Sequence, residues 1–167
     1  MPEAPDFDPY AVLHAFERNR VAFVMIGAFA RVVQGADEVT DGLDVTPSLR
    51  AQNLTRLEAA LAELGARRAD GRKLTIDDRA LQNEPVLDLL TEHGELKIVA
   101  EPAGTRGYED LRRAATREPL GEGLRPDVAS VGDLARMLSA LGRDDDFPRI
   151  HALRRLAELE LGRGLER

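Results

Sequence analysis

The feature that most constrains this chain is a run of six apolar residues at positions 21–26, which ends at Gly27. The run is rich in Val, Ile and Phe, which favour strands, and it offers no polar face. A strand of this kind must be covered on both sides, so it predicts a buried strand in a sheet with helices packed against it. Residues 28–34, after the glycine, are predicted to form a short helix.

Alternating helix and strand patterns surround this buried strand. Asp8 and Pro9 are typical of a helix start, and Ser130 opens a later helix with a capping-box pattern. Strands are predicted at residues 42–45, 73–76, 86–90 and 95–99, with the last two paired as an antiparallel hairpin. Further helices are predicted at residues 49–64, at 108–115 and after Asp146, the last with Ile150, Leu153, Leu156 and Leu159 facing inward.

These elements predict an α/β (or α+β) fold, in which a small mixed sheet is flanked by helices. The length of 167 residues suits a single domain. Residues 1–100 would form the α/β core, and residues 101–167 would add C-terminal helices within the same compact unit.

Charge and hydropathy exclude several classes of function. The net charge of −7 argues against non-specific binding to nucleic acid. No apolar run approaches the roughly 20 residues of a membrane span, and the acidic residues 1–6 lack the basic start of a signal peptide. We therefore expect a cytoplasmic protein with no membrane partner. The absence of cysteine excludes disulfides, thiolate metal sites and cysteine nucleophiles.

The segment that follows the buried strand carries the candidate chemistry. Gly27 and Ala28 form a small-residue turn at a helix start, where backbone N–H groups can approach a phosphate closely. The sequence Thr-Asp-Gly-Leu-Asp-Val at residues 40–45 then places Asp44 on the next predicted strand. A carboxylate there can hold a divalent metal beside that phosphate.

This arrangement resembles the nucleotidyltransferase fold, in particular small bacterial AbiEii-like (abortive-infection) nucleotidyltransferases. Further motifs carry the resemblance over most of the chain: Gly-Glu-Leu-Lys-Ile at 94–98, Tyr-Glu-Asp-Leu at 108–111, Val-Ala-Ser at 128–130 and a Gly-Arg turn at 142–146. The resemblance implies a nucleotidyltransferase-type sheet. It also implies a nucleotide site that includes Gly27, Ala28, Thr40 and Arg143.

The same resemblance implies that active members hold two metals with three carboxylates. The matching positions in this chain are Gly42, Asp44 and Lys97, so a single carboxylate is retained. A family lysine of the late helix falls near Leu138, and one of the Gly-Arg turn falls near Asp145. One carboxylate cannot build a two-metal site.

Two hypotheses follow for the altered site. In the first, Lys97 takes the place of the metal and pairs with Asp44 across adjacent strands. In the second, Asp41 or Asp88 replaces a lost ligand. Asp88 lies on a neighbouring hairpin strand, whereas Asp41 is one residue out of register with the lost ligand and is expected on the opposite face unless a bulge intervenes.

Three functions remain open. The preferred one is a nucleotidyltransferase homologue that has lost metal-dependent transfer, needs no cofactor and binds a nucleoside triphosphate, a protein or a copy of itself. The alternative is an active, Mg²⁺-dependent enzyme that moves a nucleoside monophosphate to an RNA, protein or small-molecule hydroxyl, with a place in a toxin–antitoxin pair left open. The third is a purely structural module, in which Gly27 and Ala28 form only a tight turn, Asp44 and Thr40 are structural caps, and Lys97 is solvated.

Overall fold

The computed structural model describes residues 6–165, so the first five residues of the acidic N-terminal segment lie outside the described part. Seven strands within it form one mixed sheet. They are β1 Phe23–Ile26, β2 Gly42–Pro47, β3 Arg67–Arg68, β4 Val86–Thr91, β5 Gly94–Val99, β6 Thr116–Arg117 and β7 Asp127–Val128. Their order across the sheet is β3-β4-β5-β2-β1-β7-β6.

Seven α-helices surround this sheet in the described part of the chain. They are α1 Pro9–Arg18, α2 Gly27–Val33, α3 Ala51–Glu63, α4 Asp78–Asn83, α5 Tyr108–Leu111, α6 Val131–Leu141 and α7 Phe147–Leu165. A short 3₁₀ helix, Asp144–Asp146, precedes α7. None of the helices described is long and apolar enough to cross a membrane.

The predicted α/β class and mixed sheet are confirmed. β1 runs antiparallel to β2 and parallel to β7, β2 runs parallel to β5, and β4 and β5 form the predicted antiparallel hairpin. The helix starts follow from their caps: the Asp8 side chain accepts from the Ala11 N–H, and the Ser130 side chain accepts from the Asp133 N–H.

The strand predicted at residues 73–76 is wrong, because this segment is a loop. The edge of the sheet is formed instead by β3, which pairs with β4. Ile76 is buried in the core, and Asp77 immediately caps α4 through the Ala80 N–H. The apolar residue therefore anchors a loop to the core ahead of a helix.

The C-terminal part differs from the predicted set of helices because β6 and β7 also lie there and extend the sheet beyond β1. The helix predicted over residues 108–115 ends earlier, since α5 stops at Leu111. In α7, Ile150 and Leu153 are buried as predicted, whereas Leu159 is exposed. Leu156 packs partly against the core as well, so the predicted stripe contacts the core from Ile150 to Leu156 and leaves it before Leu159.

The central strands β2 and β5 have one apolar face and one polar face. Leu43, Val45, Leu96 and Ile98 are fully buried. On that side α1 packs against β1, where the rings of Phe16 and Phe23 lie 5.0 Å apart. Since successive side chains of a strand alternate between faces, residues 42, 44, 95 and 97 point to the other side of the sheet.

Candidate functional site

Four of the predicted site residues lie in two adjacent rows on the polar face of the sheet. In one row, Asp88 of β4 is in register with Lys97 of β5, which is in register with Asp44 of β2. In the next row, Glu95 of β5 is in register with Gly42 of β2. Neighbours in such a row have Cβ atoms about 5 Å apart, so their side chains are close enough to interact.

Lys97 lies between the two aspartates, and its nearer carboxylate is Asp88. Its Nζ atom is 3.7 Å from Asp88 Oδ1, and the two side chains are 45% and 67% exposed. The expected direct pair with Asp44 is not formed within the described residues. Lys97 does share a face with Asp44, but its flexible aliphatic side chain places the ammonium beside Asp88 of β4, where it is partly exposed to solvent.

The Asp44 carboxylate packs against the turn at Gly27. Gly27 has a φ of +74°, and a Cβ at this position would collide with the Asp44 carboxylate group. Glycine is therefore required both by the backbone conformation and by the contact. Burial raises the pKa of Asp44, an effect that the charges of Lys97 and Arg31 oppose and those of Asp88 and Glu95 reinforce.

A cavity of about 420 Å³, here called the polar cavity, opens over these rows. Thr40 lines it, and its hydroxyl donates to the Gly42 carbonyl at 2.9 Å. Asp41 lines it as well, although it was expected on the opposite face. Because Asp41 precedes the first residue of β2, the alternation of a strand does not govern its direction.

Glu95 also lines the polar cavity, and the sequence reasoning missed it. Its Cβ lies 3.2 Å from the position that a Cβ on Gly42 would take. The cavity therefore carries four carboxylates, from Asp41, Asp44, Asp88 and Glu95, against the single ammonium of Lys97. Its spacing of two residues from Lys97 along the predicted strand was a signal that could have placed Glu95 on the same face.

A second cavity, of about 550 Å³ and here called the α6 cavity, lies between the polar face of the sheet and α6. It shares Ala28, Asp44 and Lys97 with the polar cavity, so the two form one cleft. Its wall is mainly apolar and includes Ile26, Val86, Val99, Leu134, Met137 and Leu138.

Arg143, predicted to bind a nucleotide, lines the α6 cavity together with Arg31. Its Nε atom donates to Asp146 Oδ2 at 2.6 Å. Arg31 was not predicted, because its position in α2 shows no pattern of its own. Leu138, near which the sequence resemblance implies a lysine, contributes an apolar side chain to this wall.

The donor set does not fit a two-metal centre. No group of three or more Asp, Glu or His side chains in the described part of the chain is arranged to hold a metal ion. Asp44 and Asp88 are on strands separated by β5, and the Lys97 ammonium lies between them. A dication there would face a fixed positive charge.

Several solved structures share this fold. The antibiotic-resistance factor ANT(2'')-Ia matches 93% of this chain over 83% of its own, with a TM-score of 0.60 and 16% identity. The lincosamide antibiotic adenylyltransferase LnuA matches 90% over 99% of its own chain, with a TM-score of 0.60 and 14% identity. Protein TM1012 of Thermotoga maritima matches 90% over 90%, with a TM-score of 0.56 and 15% identity.

No protein-family model and no curated protein matches the chain. At these identities the similarity to solved structures establishes the fold alone. The sheet and its helices are of the nucleotidyltransferase type, in agreement with the prediction from the sequence motifs.

Proposed function

We propose that this protein is a nucleotidyltransferase homologue that has lost metal-dependent transfer and binds a nucleotide in the cleft. The observation that carries the proposal is the position of Lys97 between Asp44 and Asp88, where the family resemblance implies a metal-binding carboxylate. A lysine ammonium has three hydrogen-bond donors and no lone pair for a metal. It supplies positive charge at this position without binding an ion.

The charges of the cleft favour placing the nucleotide in the α6 cavity. Arg31, Lys97 and Arg143 line it, against Asp44 and Glu101. The polar cavity, with its four carboxylates and one lysine, repels a triphosphate that carries no metal. The apolar wall under α6 suits a planar base, since ligand sites are mostly apolar with a few polar groups that fix orientation.

An active enzyme is the alternative, and Glu95 supports it. This carboxylate faces Gly42 and lies beside Asp44, and Mg²⁺ is often held by one or two carboxylates plus substrate phosphates. In that case Asp44, with Asp41 or Asp88 as helper, would have to hold the ion. LnuA, which shares the fold, is described as an antibiotic adenylyltransferase.

A protein partner or self-association is a further candidate, and the surface of α7 supports it. Phe147, Leu159 and Leu161 are all more than half exposed on this helix. Contiguous exposed apolar patches mark interaction surfaces, and of these side chains only Leu159 and Leu161 are near each other along the helix. Nothing in the described residues identifies what would cover them.

Calorimetric titration with each nucleoside triphosphate, in EDTA and then in Mg²⁺, tests the proposal. We expect binding in EDTA that Mg²⁺ does not strengthen. Lys97→Gln should weaken this binding, because the variant loses the only ammonium in the cleft. Lys73→Gln is the matched control, since Lys73 is the other lysine of the chain and lies exposed in the loop before α4.

Two results would contradict the proposal. Binding that requires Mg²⁺, together with release of pyrophosphate, would establish the active enzyme. Binding of no nucleotide under either condition would leave the partner-binding function, which sedimentation analysis of the purified chain would then test for self-association.

A further inference from the structure

A chain of five alternating charges links α2 to the start of α7. Arg31 donates from Nε and Nη2 to the two carboxylate oxygens of Glu38, at 2.7 and 2.9 Å. Arg149 bridges Glu38, at 3.2 Å, to Asp146, at 3.0 Å. Asp146 also accepts from Arg143 Nε at 2.6 Å. The order along this network is therefore Arg31, Glu38, Arg149, Asp146, Arg143.

The two carboxylates of the network are among the least accessible acidic groups of the fold. The Asp146 side chain is 2% exposed, and those of Glu38 and Arg31 are 12% and 11% exposed. Burial by itself would raise the pKa of Asp146, but hydrogen bonds from Arg143 and Arg149 outweigh burial and lower it. Asp146 therefore stays ionised and holds both arginines.

Only the two ends of the network reach the cleft. Arg31 and Arg143 line the α6 cavity, whereas the other three members do not. Glu38 engages Nε and Nη2 of Arg31, and Asp146 engages Nε of Arg143. No acceptor among residues 6–165 engages the Nη1 group of Arg31 or either Nη group of Arg143, so these donors can bind an acceptor in the cavity.

The turn at Gly27 is a poor place for an anion in this chain. The Asp44 carboxylate packs directly against it, and the polar cavity beside it carries three more carboxylates. An oxyanion placed there would meet negative charge at short range. The two arginines on the α6 side offer the opposite charge and planar donor groups that match phosphate geometry.

We infer that Arg31 and Arg143 bind the phosphate groups of the ligand, and that Glu38 and Asp146 position these two guanidinium groups. The identity of the ligand as a nucleotide rests on the proposed function, whereas the anion site follows from the network itself. The uncharged part of the ligand then lies against Val99, Leu134 and Leu138. The network carries one net positive charge, which the phosphate compensates.

The test uses inorganic tripolyphosphate and ATP as probes, both in EDTA, with calorimetry and the ¹⁵N arginine Nε–Hε NMR signals as readouts. We expect tripolyphosphate to shift the signals of Arg31 and Arg143. Arg143→Gln should weaken tripolyphosphate and ATP by about tenfold, the usual scale for one hydrogen bond to a charged group. Arg154→Gln, an exposed arginine on α7 outside the cleft, is the matched control and should change neither affinity.

Asp146→Asn tests the positioning role, because it keeps the size of the side chain and removes its charge. We expect a weaker affinity for both probes and a shift of the Arg143 Nε–Hε signal even without ligand. An effect on folding alone would change the unfolding temperature and leave the affinity of the folded protein intact. Unchanged affinity in the folded variant would therefore overturn the positioning role.

The outcomes separate this inference from the proposed function. If ATP binds and Arg143→Gln binds it equally well, the anion site is wrong and nucleotide binding stands. If tripolyphosphate shifts both arginine signals but no nucleotide binds, the anion site stands and the nucleotide proposal falls. If neither probe binds, both proposals fall.

Discussion

Strands β2 and β5 present two faces made from adjacent residues, and the faces have opposite properties. Leu43 and Leu96 are fully buried on one face. Asp44 and Lys97, the next residues along each strand, line the cleft on the other. One pairing register of β2 with β5 aligns the apolar pair and the polar pair. Because packing of the apolar side chains fixes that register, it also fixes the relative positions of the polar side chains.

This difference shows how side chains on the polar face can be replaced while the packing of the apolar face maintains the fold. Close packing within the hydrophobic core constrains the apolar face, where each side chain is surrounded by other buried apolar residues. The polar face borders cavities, so a carboxylate there can be replaced by Gly or Lys at little cost in stability. Stability and chemistry thus reside in alternate residues of the same two strands.

The largest expected effect is on the buried face. Leu96→Ala should lower the free energy of unfolding by about 3 kcal/mol, because it removes buried methyl groups and leaves a cavity. Glu95→Ala, the adjacent residue on the polar face, is the control and should change the free energy of unfolding by less than about 0.5 kcal/mol. Urea denaturation measures both. Equal losses would show that the two faces do not differ as described.

A smaller effect is expected where the polar face is tightly packed. Gly27→Ala should cost about 2 kcal/mol, since it combines a positive φ with a collision against Asp44. Gly71→Ala is the matched control, because Gly71 has a φ of +80° and open space around its Cβ position. Thermal unfolding should show the smaller loss for the control. An equal loss would mean that the contact with Asp44 contributes nothing.

The pH dependence of stability provides a third test of the polar face. Burial raises the pKa of Asp44 in the folded protein. At pH values between the unfolded and the folded pKa, the folded protein therefore keeps a proton on Asp44 that the unfolded chain has lost. The stability that this group contributes is present at low pH and is lost as pH rises through the raised pKa. Asp44→Asn should therefore be more stable than the parent at pH 7, by less than Gly27→Ala costs.

Denaturation from pH 3 to pH 8 measures this effect. The advantage of Asp44→Asn should disappear below the unfolded pKa, where both proteins are uncharged at this position. Asp41→Asn removes a charge from an exposed residue that lines the same cavity, and it is the matched control for the stability of Asp44→Asn at pH 7. A variant that is less stable than the parent at pH 7 would contradict the assigned direction of the pKa shift.

The smallest expected effect is at the ion pair of Lys97 and Asp88. Both side chains are about half exposed or more, so Lys97→Gln should change the free energy of unfolding by less than about 0.5 kcal/mol. Differential scanning calorimetry at low and moderate salt measures it. A loss comparable to that of Leu96→Ala would mean that the polar face is as constrained as the core.

The elements with strong local signals could be predicted from the sequence. The buried strand, the hairpin and the Ser130 cap each follow from short-range patterns that tertiary contacts reinforce. The strands β3, β6 and β7 have two residues each, too few for a period to be visible. Each of them forms by pairing with a strand that is distant in the sequence or by extending the sheet at its edge, and no pattern around residues 116–128 indicates that pairing.

The candidate site could be predicted only in part. Its residues follow from motif positions, and the alternation of a strand places Asp44 and Lys97 on one face once the strands are paired. The contact of Lys97 with Asp88 depends on the direction of a flexible side chain, and the role of Glu95 depends on the register of β5 against β2. The network that ends at Arg31 and Arg143 depends on the position of α7, which no local pattern encodes.

The parallel pairing of β1 with β7 also determines when the fold can be completed. Met25 pairs with Val128, so roughly 100 residues of chain must be synthesised before one edge of β1 finds its partner. Until then this hydrophobic strand is open on one side to any other extended chain. During synthesis β1 therefore keeps one open edge until residue 128 is made, and slow translation before residue 128 should increase aggregation more than slow translation after it.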